Sequence, residues 1–370
     1  MKGYAVQLLT KMLEIYSPSG KEEEISRFLT EEMAKIGFQV KRDNVGNVVG
    51  EIGRGNPVIL LCGHMDTVTG YIPVQNKGNK LYGRGAVDAK ASLAAMIVAA
   101  SALITEEKSS KIIIAGVVDE EGKSVGVKNL LKEGLTADYA IFGEPSGVEK
   151  ITIGYKGVLR LKITCKTRTG HSAANMLYEN AVEKAYELWR EIQKIHFPSE
   201  KLESPFYSLT SSITKIEGGK GDSTIPSRCQ IHIDMRIPPQ LTNVQVFEEV
   251  RKLIDQYQKA NPKISIKTQI KDSVEPFEAD SNSPLVQALS RSIREVRHKT
   301  AALTRKTGTG DMNIFGRALK IPVVTYGPGD PTLSHTENEY IEIQEFLDGI
   351  EVYKNAMARL IRMHREKGVT

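Results

Sequence analysis

The segment VILLCGHMD, from Val58 to Asp66, sets the fold class of this 370-residue chain. Its first five residues are all apolar, and His64 and Asp66 follow soon after. Similar short apolar runs occur at 112–118 and 140–142, and segments with helical spacing of apolar residues separate the runs. Strands that are apolar on both faces and alternate with helices are typical of a parallel or mixed sheet covered by helices. The sequence therefore predicts an α/β fold with a mixed, mostly parallel sheet.

The pattern of apolar residues changes after about residue 154. Between 158 and 164, and again between 228 and 236, apolar and polar residues alternate, as in antiparallel strands with one exposed face. Two amphipathic helical segments accompany these strands. We therefore expect a small α+β domain over 155–273, inserted into a larger domain formed by 1–154 and 274–370.

The composition disfavours several classes of function. The 50 Lys and Arg exceed the 45 Asp and Glu by five, and the basic residues are scattered among acids, so we expect no nucleic-acid partner. The longest apolar stretch, 91–104, is too short to span a bilayer, so we expect no membrane association. Cys62, Cys165 and Cys229 lie far apart and form no Cys-x-x-Cys pair. This spacing favours a reducing, cytoplasmic location over a disulfide scaffold or a cysteine zinc site.

Chemically active side chains stand where the predicted strands end. In open α/β sheets, ligands bind beyond the carboxyl ends of the strands. At these positions the chain has two histidines and several carboxylates, namely His64, Asp66, Asp88, Asp119, Glu120, Glu121, Glu144, His335 and Glu337. So many carboxylates at one buried edge would repel one another, so we expect cations among them.

The donor set indicates a pair of metal ions. Nitrogen and oxygen ligands without thiolate suit zinc, cobalt or manganese, and imidazole favours the first two. Five candidate ligands exceed what one catalytic zinc ion uses, whereas two ions about 3.5–4 Å apart, bridged by one carboxylate, would take them up. His64 and Asp66 point to the same side of a strand, so Asp66 can orient the imidazole. Glu120 and Glu121 point apart if extended, so one can bind metal while the other acts as a base.

Each of these residues taken singly also fits an ordinary structural role. A histidine at a strand end is more often a hydrogen-bonded polar residue than a ligand, and Asp88 could cap the helix that follows it. Asp119 or Glu144 could end a solvated loop. Their convergence on one edge of the sheet is what favours a metal centre.

Five short motifs resemble, in order and spacing, those of the dinuclear metallopeptidases and deacylases of the M20 family. The motifs are GHMDTV from Gly63, GRGAVDAK from Gly83, DEEG from Asp119, GEPS from Gly143 and SHTENE from Ser334. The resemblance covers nearly the whole chain. It implies two divalent metal ions, zinc or cobalt, with Asp88 as the bridge, His64 and Glu144 at one ion, and Glu121 and His335 at the other. It also implies that Glu120 is the general base and that Asp66 orients a ligand.

The resemblance also implies that the inserted segment is a lid and dimerisation domain. His171, in the motif TGHSA, matches a family histidine that reaches the active site of a partner subunit and steadies the tetrahedral oxyanion, so a homodimer is expected. Arg236 matches the family's arginine for a substrate carboxylate, although a solvated strand face would equally account for it. Ser223, in the segment STIP, stands where many members have asparagine and is the matching candidate for a substrate contact.

Within the family, the segments GAVDAK and TGTGDMN look most similar to enzymes of lysine and arginine biosynthesis that release lysine or ornithine from an acidic amino-group carrier protein. Lys156, Lys162, Lys166 and Arg168 in the inserted domain are compatible with an acidic partner. The alternatives are a small-molecule deacylase of the acetylornithine or succinyl-diaminopimelate type, and a dipeptidase or carboxypeptidase.

The sequence lacks the complete motifs of other enzyme classes. No G-x-S-x-G segment occurs, which disfavours a serine hydrolase. Three Gly-x-Gly segments, at 53–55, 83–85 and 308–310, begin like dinucleotide-binding loops but lack the third glycine. A non-catalytic binding module on the same fold would be marked by loss of Glu120 or of ligands, and all of them are present.

Overall fold

The computed structural model describes residues 2–105, 109–197 and 204–368. Contacts within the chain divide it into two compact units. The first unit comprises Met1–Gly154, Ala279–Arg305 and Gly310–Thr370, and the second comprises Tyr155–Glu278 and Lys306–Thr309.

The second unit extends beyond the boundary predicted at residue 273. The reason lies in two carboxylates of the following segment. Glu275 accepts the backbone N–H of Asn243 at 3.2 Å, and Glu278 accepts the hydroxyl of Tyr207 at 2.8 Å. These contacts attach the segment to the second unit.

The first unit is built around a mixed sheet; elements are numbered in chain order through both units. The strands of this unit are β1 (Gln39–Arg42), β2 (Val48–Gly53), β3 (Val58–His64), β4 (Gln75–Lys77), β5 (Lys80–Tyr82), β6 (Lys111–Val117), β7 (Tyr139–Gly143), β8 (Lys150–Tyr155), β14 (Ala302–Lys306), β15 (Val323–Thr325) and β16 (Tyr340–Glu342). Strands β16, β5 and β4 pair in that order as a separate small sheet. The main sheet contains the order β1-β2-β6-β3-β7-β15-β8, in which the pairs β6–β3, β3–β7 and β7–β15 are parallel and the outer pairs β1–β2, β2–β6 and β15–β8 are antiparallel. The prediction of a mixed α/β fold is confirmed.

Helices cover this sheet and share its apolar core. They are α1 (Lys2–Glu14), α2 (Glu23–Lys35), α3 (Lys90–Ile104), α4 (Val125–Lys132), α7 (Pro284–Arg297), α8 (Asp311–Leu319) and α9 (Ile343–Gly368). Helix α3 is apolar on nearly every side and is almost entirely buried, as expected for a helix surrounded by protein. Its N-terminus begins two residues after Asp88, so the core fixes the position of that carboxylate.

The parallel strands bring their carboxyl ends to one edge of the sheet. Strand β3 ends at His64, and Glu120 and Glu121 follow shortly after β6. Glu144 comes directly after β7. The predicted gathering of these residues at one edge therefore follows from the parallel pairing of β6, β3 and β7.

The second unit is an antiparallel sheet with helices on its apolar face. Its elements are β9 (Gly157–Lys166), α5 (Ala181–Ile192), β10 (Thr210–Gly218), β11 (Arg228–Ile237), α6 (Asn243–Ala260), β12 (Ser265–Val274) and β13 (Phe277–Glu278), and the sheet order is β10-β11-β9-β12. Residues such as Leu161 and Ile231 pack with Val246 in the core of this unit. Lys156, predicted as part of a basic surface, is instead wholly buried. Among the described residues, none of the helices combines the length and the hydropathy that a membrane span requires.

Candidate metal centre

Asp88 lies between two histidines of the first unit. Its Oδ1 is 3.2 Å from Nε2 of His64, and its Oδ2 is 3.3 Å from Nε2 of His335. A carboxylate whose two oxygens face different imidazoles has the geometry of a bridge between two metal positions.

Each histidine has a second carboxylate beside it. Glu144 Oε1 is 3.7 Å from Nε2 of His64, and Glu121 Oε1 is 2.8 Å from Nε2 of His335. The ligand atoms of His64, Asp88 and Glu144 lie within 4.8 Å of one another, and so do those of Asp88, Glu121 and His335. The structure thus brings together all five ligands that the sequence suggested, in two sets of three that share Asp88.

Glu120 also lies against this cluster. A carboxylate oxygen of Glu120 and the ligand atoms of His64 and Glu121 lie within 4.8 Å of one another. The two adjacent glutamates therefore both reach the site, and they do not point to opposite sides of the backbone as an extended conformation would require.

His64 is oriented by a backbone carbonyl. Its Nδ1 lies 2.8 Å from the carbonyl oxygen of Asp66, which can only accept a hydrogen bond, so Nδ1 is protonated and Nε2, on the side of Asp88, is the nitrogen available to a metal ion. The carboxylate of Asp66 is farther from Nδ1, at 3.6 Å. The orienting contact is thus made mainly by the backbone of Asp66, whereas the sequence suggested its side chain.

The carboxylate of Asp66 instead holds the loop after β6. It accepts the backbone N–H of Glu120 and that of Glu121, each at 3.1 Å, and the hydroxyl of Ser19 at 2.7 Å. Asp66 is completely buried, so these donors stabilise its charge.

The electrostatics of the cluster favour added positive charge. Burial lowers the pKa of His64, but the hydrogen bond to Asp88 and the charge of Glu144 raise it more, so that it lies well above its usual value. The hydrogen bond to Asp88 and the charge of Glu121 raise the pKa of His335 to about 9. Burial and the charge of Asp88 raise the pKa of Glu121. Both histidine positions thus stabilise positive charge, which is what two divalent cations supply, and the imidazole and carboxylate donors suit such ions.

Three buried charged residues beside the cluster were missed by sequence reasoning. Asp311, at the start of α8, is buried, and burial raises its pKa to about 6. Lys90 is buried, and its ammonium donates to the carbonyls of Met12 and Ile15 at 2.9 and 2.6 Å. Glu339 is wholly buried beside the loop that carries Asp88. The motifs GRGAVDAK and SHTENE contain Lys90 and Glu339, but no local pattern reveals their partners.

The backbone adopts the left-handed region at one candidate ligand and directly before Glu120. Asp119, which precedes Glu120, has φ 60°, and His335 has φ 63°. Residues that are neither glycine nor asparagine adopt this left-handed region at a cost, and such strain persists where surrounding contacts enforce it. Asn47 provides such contacts, because it accepts the N–H of Val118 at 3.0 Å and donates to the carbonyl of Gly126 at 2.9 Å.

The remaining predicted residues belong to the second unit. His171 is exposed, and its Nδ1 accepts the N–H of Ala173 at 3.1 Å. The carbonyl of Ser223 accepts the N–H of Ser172 at 2.9 Å, so Ser223 lies beside His171.

Arg236 is partly engaged within its own unit. Its Nε donates to Asp234 at 2.7 Å and its Nη2 to the same carboxylate at 3.3 Å. Its Nη1 donates to the hydroxyl of Thr309 at 3.3 Å. Since a guanidinium has five N–H groups, two of them are left for another acceptor as far as the described residues show.

Comparison with known proteins agrees with this geometry. The model of peptidase family M20/M25/M40 matches residues 60–359. The chain is 38% identical to a Pyrococcus furiosus protein that is provisionally named a LysW-lysine/LysW-ornithine hydrolase, over 96% of this chain and 97% of that one. It is 35% identical to the LysW-lysine/LysW-ornithine hydrolase of Sulfurisphaera tokodaii, over 96% and 95% of the two chains. The crystal structure of aminopeptidase PepT from Bacillus cereus shares the fold, with a TM-score of 0.82 at 21% identity over 97% of this chain and 99% of that chain.

Fold and site together define a metal-dependent hydrolase of amide bonds. The chain belongs to peptidase family M20/M25/M40, and the family resemblance of its five motifs is confirmed.

Proposed function

We propose that this chain is a two-metal hydrolase that releases lysine, ornithine or both from an acidic amino-group carrier protein. The hydrolase part rests on one observation, the placement of Asp88 with one oxygen toward His64 and the other toward His335. The names of relatives that match nearly the full length of both chains support the substrate part.

In this proposal two ions would share Asp88, and each would be held by one further histidine and one further glutamate. His64 and Glu144 would hold one ion, and Glu121 and His335 would hold the other. The ions are zinc or cobalt, since imidazole and carboxylate donors suit both. When bound, such ions polarise a carbonyl group and lower the pKa of water toward neutrality.

Glu120 is proposed as the general base. Burial and the charges of Glu144 and Asp311 raise its pKa well above the usual value, which brings its proton affinity closer to that of a base working near neutral pH. Glu120 takes a proton from water as the water oxygen adds to the amide carbon. It then gives that proton to the leaving nitrogen as the carbon–nitrogen bond breaks.

His171 is proposed to stabilise the oxyanion that forms during this reaction. Because Nδ1 accepts a backbone N–H, the proton of the neutral ring is on Nε2, which can donate to an oxyanion. Following the family resemblance, we propose that His171 acts in the site of a partner subunit. Exposed apolar side chains close to it in sequence, Met176 and Leu177, support a protein contact in this region.

Substrate binding is proposed for two further residues of the second unit. Arg236 would bind the α-carboxylate of the lysine or ornithine moiety through its remaining N–H groups. Ser223 is proposed as a polar contact to the substrate from its position beside His171.

The polar face of the second unit's sheet is proposed to receive the acidic body of the carrier. The strand registers place the cationic residues Lys162, Lys166, Lys215, Arg228 and Lys267 on this face. Complementary charge of this kind speeds association without touching the bond that is cleaved. We also propose a cytoplasmic location, since all three cysteines are free and buried.

A product assay over a substrate panel tests the proposal. The panel contains carrier-linked lysine, carrier-linked ornithine, acetylornithine, succinyl-diaminopimelate and dipeptides, and Glu120→Gln protein serves as the control for contaminating hydrolases. We expect the carrier-linked substrates to have the highest kcat/KM. A higher kcat/KM for acetylornithine or succinyl-diaminopimelate would assign the chain to the small-molecule deacylases instead.

A further inference from the structure

The carboxylate of Glu339 receives four hydrogen bonds from the loop that carries Asp88. Oε1 accepts the backbone N–H of Val87 at 2.8 Å and that of Asp88 at 2.9 Å. Oε2 accepts Nη1 of Arg84 at 2.8 Å and the N–H of Gly85 at 3.1 Å. Glu339 has no exposed surface, so this set of donors is what stabilises its negative charge.

Strand pairing places Glu339 over this loop. Strands β16 and β5 are antiparallel, with Tyr340 opposite Tyr82. Glu339 immediately precedes β16, and its carbonyl accepts the N–H of Gly83 at 3.2 Å. The loop therefore starts beside Glu339 and turns around its carboxylate before it reaches Asp88.

We propose that Glu339 is a positioning residue for the metal centre. It holds the backbone of Val87 and Asp88 so that the two oxygens of Asp88 face separate metal positions. The inference rests on the proposed role of Asp88 as the bridging ligand.

His335 and Glu339 belong to the same short segment, and both contact Asp88. His335 lies four residues before Glu339, and its Nε2 is 3.3 Å from Oδ2 of Asp88. One short segment thus supplies a proposed ligand through its imidazole and anchors the bridging ligand through its carboxylate. Two sets of contacts therefore hold Asp88 at its distance from His335. One is the pairing of β16 with β5, and the other is the set of hydrogen bonds to Glu339.

Hydrogen bonds from backbone N–H groups to a carboxylate are stronger than those between neutral groups. Outer partners of this kind commonly change metal affinity 10–100-fold when they are altered. Glu339→Gln keeps the shape of the side chain, removes its charge, and turns an NH2 group toward donors that need an acceptor. Metal binding should therefore weaken even though Glu339 is not itself a ligand.

Zinc titration of metal-free protein tests the inference. Calorimetry should show two ions bound by the wild type, and binding weaker by roughly 10–100-fold in Glu339→Gln. The visible spectrum of cobalt-loaded protein should change in the same variant. Glu342→Gln is the matched control, since it makes the same change at an exposed glutamate three residues away and should bind like the wild type. Wild-type zinc affinity and an unchanged cobalt spectrum in Glu339→Gln would overturn the inference.

A measurement on unaltered protein covers the case in which Glu339→Gln does not fold. The amides of Val87 and Asp88 should be strongly protected from hydrogen exchange in the metal-free protein, because they donate to Glu339 and not to a metal ligand. Free exchange of both amides before metal is added would contradict the inference.

Asp88→Asn separates this inference from the proposed function. If Asp88→Asn binds zinc like the wild type, or if the wild type does not bind two ions, the proposed centre itself is wrong. If Asp88→Asn loses zinc while Glu339→Gln retains it, only the role of Glu339 is wrong.

Discussion

The carboxylate of Asp66 accepts the backbone N–H of Glu120 at 3.1 Å, across 54 positions of the sequence. The next N–H, that of Glu121, donates to the other oxygen of Asp66 at 3.1 Å. The loop with the proposed base and a proposed ligand is thus attached to Asp66, two residues after His64 at the end of β3. Asp66 therefore links both halves of the site through the backbone.

Asp66→Asn should impair the enzyme although Asp66 is not a proposed ligand. Its amide can accept only one of the two N–H groups and points a donor at the other, which leaves a buried N–H without a partner. We expect kcat to fall roughly 10–100-fold, as for other outer partners of metal sites. Ser19→Ala, which removes one donor to the same carboxylate at 2.7 Å, is the control and should lower kcat less. Equal rates for wild type and Asp66→Asn would show that the loop needs no such anchor.

Glu120 and Glu121 should respond differently to the same substitution. Glu120→Gln should lower kcat by roughly 10²–10⁴-fold, the usual contribution of a general base, while the protein still binds two ions. Glu121→Gln should reduce the metal content as well. Steady-state kinetics and elemental analysis of both variants check this. Loss of metal from Glu120→Gln in parallel with activity would make Glu120 a ligand.

The central strands could be predicted because strands that are buried on both faces consist of consecutive apolar residues. Strand β3 and helix α3 are buried over nearly their whole lengths, so their sequences contain almost no polar interruption. The parallel arrangement then follows from the alternation with helices, and it brings the strand ends to one edge. His64, Glu121 and Glu144 could be found for the same reason, since each stands at or shortly after the end of a buried strand.

The residues that hold the ligands in place could not be predicted in this way. Glu339 contacts Asp88 across 251 positions, through a pairing of the three-residue strands β16 and β5. Strands this short contain too few residues for an alternating pattern. A lysine is expected at the surface, but the side chain of Lys156 is buried and its ammonium donates to the carbonyl of Pro205 at 3.0 Å.

Lys156 should make the stability of the second unit depend on pH. Burial and the nearby Arg236 lower the pKa of Lys156 to about 8 in the folded chain, from 10.5. Below pH 8 the ammonium is charged in both states, so the folded state carries the full cost of burying the charge. As pH rises from about 8 to 10.5, the folded state loses the proton first, and the free energy of unfolding should increase by up to about 3 kcal/mol.

Denaturant unfolding followed by Trp189 fluorescence checks this dependence, because Trp189 is the single tryptophan and lies in the same unit. Other lysines and tyrosines titrate in this range too, so the comparison is between variants. Lys156→Met should remove the increase relative to the wild type, whereas Lys162→Met on the polar face of β9 should keep it. If the free energy of unfolding increased equally with pH in all three proteins, Lys156 would not be the group responsible.

Mixed dimers test whether His171 acts across subunits. His171→Ala and Glu120→Ala should each be nearly inactive alone. If His171 serves a partner's site, a heterodimer of the two contains one site with both residues intact, and mixing should restore activity toward a quarter of the wild-type value at random exchange. Differently tagged subunits allow the heterodimer to be isolated before assay. An inactive heterodimer would favour a role for His171 within its own subunit.

The ionic strength dependence of kcat/KM should separate a carrier substrate from a small one. If the polar face with Lys166 and Lys267 receives an acidic carrier, association is accelerated by charges that salt screens over about 8 Å at physiological ionic strength. We expect kcat/KM for carrier-linked lysine to fall steeply as salt is added. Acetylornithine has no acidic protein body to be attracted by this face, so its kcat/KM should show a much weaker dependence.

Charge-reversal variants test whether this polar face causes the salt dependence of kcat/KM. Lys166→Glu combined with Lys267→Glu should lower kcat/KM for the carrier substrate by roughly tenfold at low salt and flatten its salt dependence, because electrostatic steering acts on the association rate. Lys259→Glu makes the same kind of change on α6, which packs on the opposite, apolar face of the sheet, and should have little effect. Cleavage of acetylornithine should be unchanged in all these variants, since the proposed metal ligands are intact. If kcat/KM for both substrates changed equally with ionic strength, the carrier would not bind this face. A small-molecule deacylase would then be the better assignment.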